Sequence, residues 1–181
     1  MPNQFCRYLS NGYSFNIDSG YNVQVKPCCW YRGDGIPLTQ DLLENRLQAF
    51  NAITDWTFAC EYCNEQEQAG QPSLRQSGPD WITDSETSIN PVSIDIHLDN
   101  ECNAACVTCH EKSSSLWLKE KQKLNQQRVQ FYSDKTSIYL AIDNIVKTVS
   151  LEQVKYVKFF GGEPLFTDTH LRFLKHISNP S

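Results

Sequence analysis

Apolar and polar residues alternate with a period of two at 13–17 (Tyr-Ser-Phe-Asn-Ile), 21–25 (Tyr-Asn-Val-Gln-Val) and 92–98 (Val-Ser-Ile-Asp-Ile-His-Leu). A further stretch at 154–160 is rich in β-branched and aromatic residues. Side chains of a strand point to opposite faces in turn, so these four segments predict strands. Asp18-Ser19-Gly20 separates the first two and reads as a hairpin turn, with Gly20 available for a positive φ. In the third, Val92, Ile94, Ile96 and Leu98 share one face, while Ser93, Asp95 and His97 share the other, which is the face expected to meet a polar site. Helical spacing of Leu43, Leu47 and Phe50 behind a capping Thr39 predicts a helix over 40–50. A short polar helix ending near Gly70 follows, and later helices are expected over 113–129, 137–148 and 168–177.

The second half therefore runs β, α, β, α. Two strands joined by a helical crossover are most simply parallel, with a right-handed connection, which is the opening of an α/β sheet or barrel. Residues 68–91 are rich in Gly, Pro, Ser, Thr and Asp and read as a connector. The expected organisation is a cysteine-bearing hairpin module over 1–78, a linker over 79–90 and an α/β segment over 91–181.

Composition narrows the chemistry. The chain has 181 residues, 40% of them hydrophobic and 20% charged, so a buried core is feasible. A net charge of −5 supplies no global field for nucleic acid, and nucleic acid is not an expected partner. No apolar run approaches the length needed to span a bilayer, and the first residues, MPNQFCRYLS, lack the sections of a signal peptide. The expected compartment is a reducing cytoplasm, where eight cysteines point to metal or redox chemistry more than to disulfides.

Three of those cysteines follow the 92–98 strand as Cys102-Asn-Ala-Ala-Cys106-Val-Thr-Cys109, a CxxxCxxC run. Three thiolates from one loop can hold three irons of a cubane cluster and leave the fourth open. A structural zinc site would close itself with four ligands, and His110 is too near Cys109 in sequence to converge easily on the same ion. A cluster of reduced core cysteines is the remaining reading. The 154–160 strand ends in Gly161-Gly162-Glu163-Pro164, which taken alone is an ordinary strand-to-turn glycine pair.

Together, CNAACVTC after one strand and GGEP after the next resemble the radical S-adenosylmethionine (SAM) superfamily. The resemblance implies the start of a partial (β/α)6 barrel, about two β/α units of it. It also implies a 4Fe-4S cluster on Cys102, Cys106 and Cys109, and a SAM amino group contacted by Gly161, Gly162, Glu163 and Pro164. The implied activity is reductive cleavage of SAM to a 5'-deoxyadenosyl radical that abstracts hydrogen from a peptide or small-molecule substrate. An electron donor such as flavodoxin or ferredoxin is implied as a partner. Thr108 stands where many members carry an aromatic residue. Two β/α units fall short of the six of the family core, so a separate chain completing the barrel is a further expected partner.

Cys6, the hairpin ending in Pro27-Cys28-Cys29, and Cys60-x-x-Cys63 form a second group. Their pattern is similar to the auxiliary-cluster modules called SPASM and twitch, as is the tail Glu67-x-x-Gly70-x-x-Ser73-x-Arg75. The resemblance implies a second 4Fe-4S cluster on Cys6, Cys28, Cys60 and Cys63, with Cys29 as the alternative to Cys28. A four-cysteine zinc site explains the same residues. A non-catalytic iron-sulfur or zinc module, or an inactive fragment of such an enzyme, is the competing function.

Overall fold

The computed structural model describes residues 6, 8–9, 12–18, 20–53, 58–77, 90–111, 113–125 and 134–177. Among them are five strands, β1 (Gly12–Ile17), β2 (Val23–Lys26), β3 (Ile36–Pro37), β4 (Ser93–His97) and β5 (Tyr156–Phe160). The helices are α1 (Gln40–Glu44), α2 (Arg46–Ile53), α3 (Glu61–Gln68), α4 (Ser115–Asn125), α5 (Lys135–Thr148) and α6 (Thr169–Leu174). The protein is mixed α/β.

All five strands join one sheet in the order β3-β2-β1-β4-β5. The hairpin β1–β2 is antiparallel, whereas β1, β4 and β5 run parallel. The hairpin thus does not stand apart from the second half, because β1 pairs with β4 from Gly12↔Ser93 to Asn16↔His97. Residues 78–89, most of the expected linker, lie outside the described residues.

Alternation decides what each sheet face does. Tyr13, Phe15, Val25, Ile94 and Ile96 point to one side, where they pack with Leu42, Leu43, Phe50, Ile142, Ile145 and Phe173 from the helices. Burying this face supplies most of the driving force for folding. Helix α5 forms because Asp134 caps it, accepting from the Thr136 and Ser137 amides, and because Ile138, Ala141, Ile142 and Ile145 make one buried stripe.

Three local expectations need correction. The positive φ of the hairpin turn belongs to Tyr21 (62°), not to Gly20. The Asp18 carboxylate organises that turn by accepting from the Gly20 and Asn22 amides at 2.8 and 3.0 Å, which delays β2 to Val23. The helix expected over 40–50 is broken at Asn45, whose side chain donates to the Asp41 carbonyl at 3.2 Å and competes with the helical ladder. Thr39 does cap α1, accepting from the Leu42 amide at 3.1 Å. Residues 126–129 of the expected third helix lie outside the described residues, as does the side chain of Leu47.

Candidate metal centres

The CxxxCxxC loop leaves the C-terminal end of β4 and is clamped to the first turn of α4. The Ser115 amide donates to the Asn100 carbonyl at 2.8 Å, and the Cys102 amide donates to the Ser115 hydroxyl at 3.1 Å. The buried Ser114 hydroxyl donates to the Ala104 carbonyl at 2.9 Å, and the Trp117 indole to the Cys106 carbonyl at 2.8 Å. Within the loop the Ala104 amide donates to the Cys102 sulfur at 3.4 Å, and the Cys109 amide to the Cys106 carbonyl at 3.0 Å. Cys102 is buried, Cys109 half-buried and Cys106 exposed. Ser114, Ser115 and Trp117 are the supporting residues that sequence reasoning missed. Their only signal was a Ser-Ser-Leu-Trp run at the start of the next helix.

The GGEP turn meets that loop at its base. Pairing of His97 with Phe160 brings the ends of β4 and β5 level, so Gly161 emerges beside Asp99. Gly161 has φ of 146°, and a β-carbon there would lie 2.5 Å from the Asp99 carbonyl oxygen. A β-carbon on Gly162 would be driven into the carbonyl of Glu101, the residue before Cys102. The Glu163 amide then donates to that same carbonyl at 2.8 Å. Both glycines are therefore required by close approach to the cysteine loop. The Glu163 carboxylate accepts from the Leu165 amide at 3.1 Å, and Pro164 is half-buried. Asp99 locks the junction, with one carboxylate oxygen accepting from Thr167 and Thr169 at 3.2 and 3.1 Å and the other from the Glu101 amide at 3.1 Å.

Gly162→Ala is expected to destabilise the chain by about 3 kcal/mol, the upper end for forced overpacking, because the obstructing atom is backbone and cannot rotate away. Chemical denaturation measures it. An unchanged midpoint would show that the turn does not press on the loop.

The second group of thiols lies at the other end of the strands, where β2 runs out. Cys28 follows β2, Cys63 sits on α3 with Cys60 at its N-cap, and Cys6 precedes β1. Burial pushes the Cys28 thiol well up, and the neighbouring Cys6, Cys29 and Cys63 add to it. Burial also raises Cys6, with Cys63 adding and Arg75 opposing. Cys6, Cys28 and Cys63 are thus electrostatic neighbours. Cys60 acts on the Tyr31 phenol.

Cys29 turns elsewhere. Its amide donates to the buried Asp95 carboxylate at 3.2 Å, and burial with the Asp95 charge pushes its thiol up to about 12. Asp95, on the polar face of β4, is therefore spent on the Cys28-Cys29 turn. Tyr8 packs into the same place, its phenol pushed up by burial and by Asp95, Cys28, Cys29 and Cys6. Burial pushes the His97 imidazole down, against the pull of Asp99 and with the help of Lys26.

The tail of this segment closes on itself. Gly70 reverses the chain at φ 70°, and Glu67 receives both the Ser73 hydroxyl and the Arg75 guanidinium. Arg32 ties the cysteine turn to α3, pairing with Glu61 and donating its amide to the Ala59 carbonyl at 3.0 Å. Trp30 stacks edge-on against Tyr62, whereas Trp56 lies outside the described residues.

Among the described residues, no three Cys, His, Asp or Glu side chains converge closely enough to grip a single ion as they stand. The donor sets are nonetheless those of soft metal chemistry, being thiols in two groups at opposite ends of one parallel strand pair. No helix among the described residues is long and apolar enough to cross a membrane. Comparison with protein-family models, with curated proteins and with solved structures returns no match.

Proposed function

We propose that this chain carries the cluster loop and the SAM-facing turn of a radical SAM enzyme. The observation that supports this reading best is the stacking of Gly161 and Gly162 on the Asp99–Glu101 backbone, immediately before Cys102. Two motifs some fifty residues apart thereby meet at the C-terminal ends of neighbouring parallel strands, where open α/β sheets gather ligands. On this reading Cys102, Cys106 and Cys109 hold a 4Fe-4S cluster. Gly161, Gly162, Glu163 and Pro164 would contact the SAM amino group, with the Glu163 carboxylate or backbone carbonyls as acceptors. A reduced cluster, when bound, supplies the electron that cleaves SAM, and the donor would be a flavodoxin or ferredoxin.

Cys6, Cys28, Cys60 and Cys63 would hold a second 4Fe-4S cluster, with zinc as the alternative occupant. Cys28 is favoured over Cys29, because it keeps company with Cys6 and Cys63 while Cys29 is committed to Asp95. Among the described residues β5 is the last strand of the sheet, and Leu165, Phe166, Leu171 and Leu174, which follow it in the chain, are exposed. That apolar margin is where further β/α units of a barrel, from this protein or a separate chain, would add.

Anaerobic reconstitution with iron and sulfide is expected to give brown protein with more than about four irons per chain. It is also expected to form 5'-deoxyadenosine from SAM only when dithionite is present. Zinc in place of iron, or no turnover after verified cluster reduction, would defeat the reading.

A further inference from the structure

The face of the sheet opposite the core is polar across β2, β1 and β4 and carries two aromatic rings about a lysine on β5. Register places Lys26, Ser14, Asp95 and Lys158 in one row across β2, β1, β4 and β5. The row above it holds Gln24, Asn16, His97 and Phe160. Its two ends are bounded by the Cys28-Cys29 turn, which reaches Asp95, and by the Gly161 turn, a β-carbon on which would lie 3.6 Å from the His97 ring. The face therefore lies between the two groups of cysteines.

Among the described residues it is most open along β5. Ser14, Ser93 and Asp95 are buried, but on β5 Tyr156 and Phe160 are 40% and 38% exposed. Between them stands Lys158, its ammonium 5.6 Å from one ring centroid and 5.5 Å from the other. Residues two apart on a strand share a face, so ring, cation and ring form one stripe, its rings exposed and Lys158 half-buried. The row carries two lysines against one aspartate. That aspartate stands opposite Lys158 and feels its charge, besides accepting from the Cys29 amide, and the row as a whole still keeps a net positive charge that favours an anion.

We propose that this stripe binds a ligand bearing a carboxylate, which pairs with Lys158 while an adjoining apolar or aromatic group lies against Tyr156 and Phe160. A single ammonium flanked by rings suits a monovalent carboxylate with an apolar body. A phosphate dianion would call for several convergent donors or an arginine fork. As a substrate subsite the stripe gives the proposed reaction its substrate class, a carboxylate-bearing peptide or acid. That use rests on the radical SAM reading, whereas the binding itself does not.

The test uses hippurate as the carboxylate probe, with hippuramide and phenyl phosphate as controls, followed by NMR on the full chain carrying Cys106→Ala. That variant lacks a ligand of the SAM-linked cluster, so failure of the metal reading leaves the measurement standing. Hippurate is expected to bind weakly but saturably, about tenfold tighter than hippuramide. Lys158→Met should bring it down to the level of the amide, and Lys158→Arg should retain most of the binding. Equal affinity for acid and amide, tighter binding of phenyl phosphate, no saturable binding of hippurate, or an unaffected Lys158→Met chain would each overturn the proposal.

Discussion

Replacing Cys106 with alanine is expected to remove about half of the reconstituted iron, roughly four of eight atoms, and to abolish SAM cleavage. Cys106 is the informative choice because of where it sits. Its thiol is exposed, and the loop is anchored there by its backbone carbonyl, which accepts from the Trp117 indole at 2.8 Å. Alanine keeps that carbonyl, so folding stability should move by no more than about 0.5 kcal/mol, as for an ordinary surface change. Cys102→Ala would mix effects, since Cys102 is buried and its sulfur accepts the Ala104 amide. Iron analysis and electron paramagnetic resonance on the Cys106→Ala protein measure the outcome. The two groups of thiols lie at opposite ends of the strands, so the spectrum of the second cluster should survive. Loss of both signals together would mean that the eight cysteines serve one site.

Arg75→Met is expected to cost about 3–5 kcal/mol, the usual penalty for stranding one partner of a buried ion pair. The side chains of Arg75 and Glu67 are 8% and 13% exposed, and Ser73 binds the same carboxylate. Removing the cation would leave Glu67 desolvated with half its partners. Changing both residues, to Arg75→Met with Glu67→Leu, should recover much of the loss, because the uncompensated charge is gone. The same pair makes a pH prediction. Burial opposes ionisation of Glu67, yet hydrogen bonds from Arg75 and Ser73 outweigh it and hold the carboxyl below its ordinary value. A depressed carboxyl contributes stability that is present above the unfolded value of about 4.3 and lost as pH falls through the folded value. Denaturation midpoints of the native chain should therefore drop between about pH 4.3 and the lower folded value, and the doubly changed chain should show a smaller drop. Equal acid sensitivity in the two proteins would assign the effect to other carboxyls.

Much of the fold was legible because its signals are local. Period-two patterns marked β1, β2 and β4, and each formed within a few residues of its expected place. Thr39 capped a helix as its position suggested. The failures were also local contests. Asp18 captured the hairpin turn with its side chain, and Asn45 interrupted a helix that apolar spacing alone would have continued. The two-residue strand β3 had no pattern to read, since pairing with β2 is what makes it a strand. At the site, the cysteine loop and the glycine pair were visible as motifs. Their mutual contact was not, nor were the serines and the tryptophan that hold the loop in place.

The sequence by itself determined most of the elements and the grouping of the thiols along the chain, because periodicity and short spacings are properties of neighbouring residues. Only the tertiary structure decided that the hairpin enters the same sheet as β4 and β5. It alone separated Cys28 from Cys29, sending one toward Cys6 and Cys63 and the other to Asp95, 66 residues away. It also turned the polar face of β4 from an expected site into a floor that, among the described residues, is most open along β5. The reason is physical. Strand register between distant segments is set by burial of the opposite face against helices, and one step of slippage would exchange every inward and outward side chain. No local pattern encodes which partner strand wins that choice.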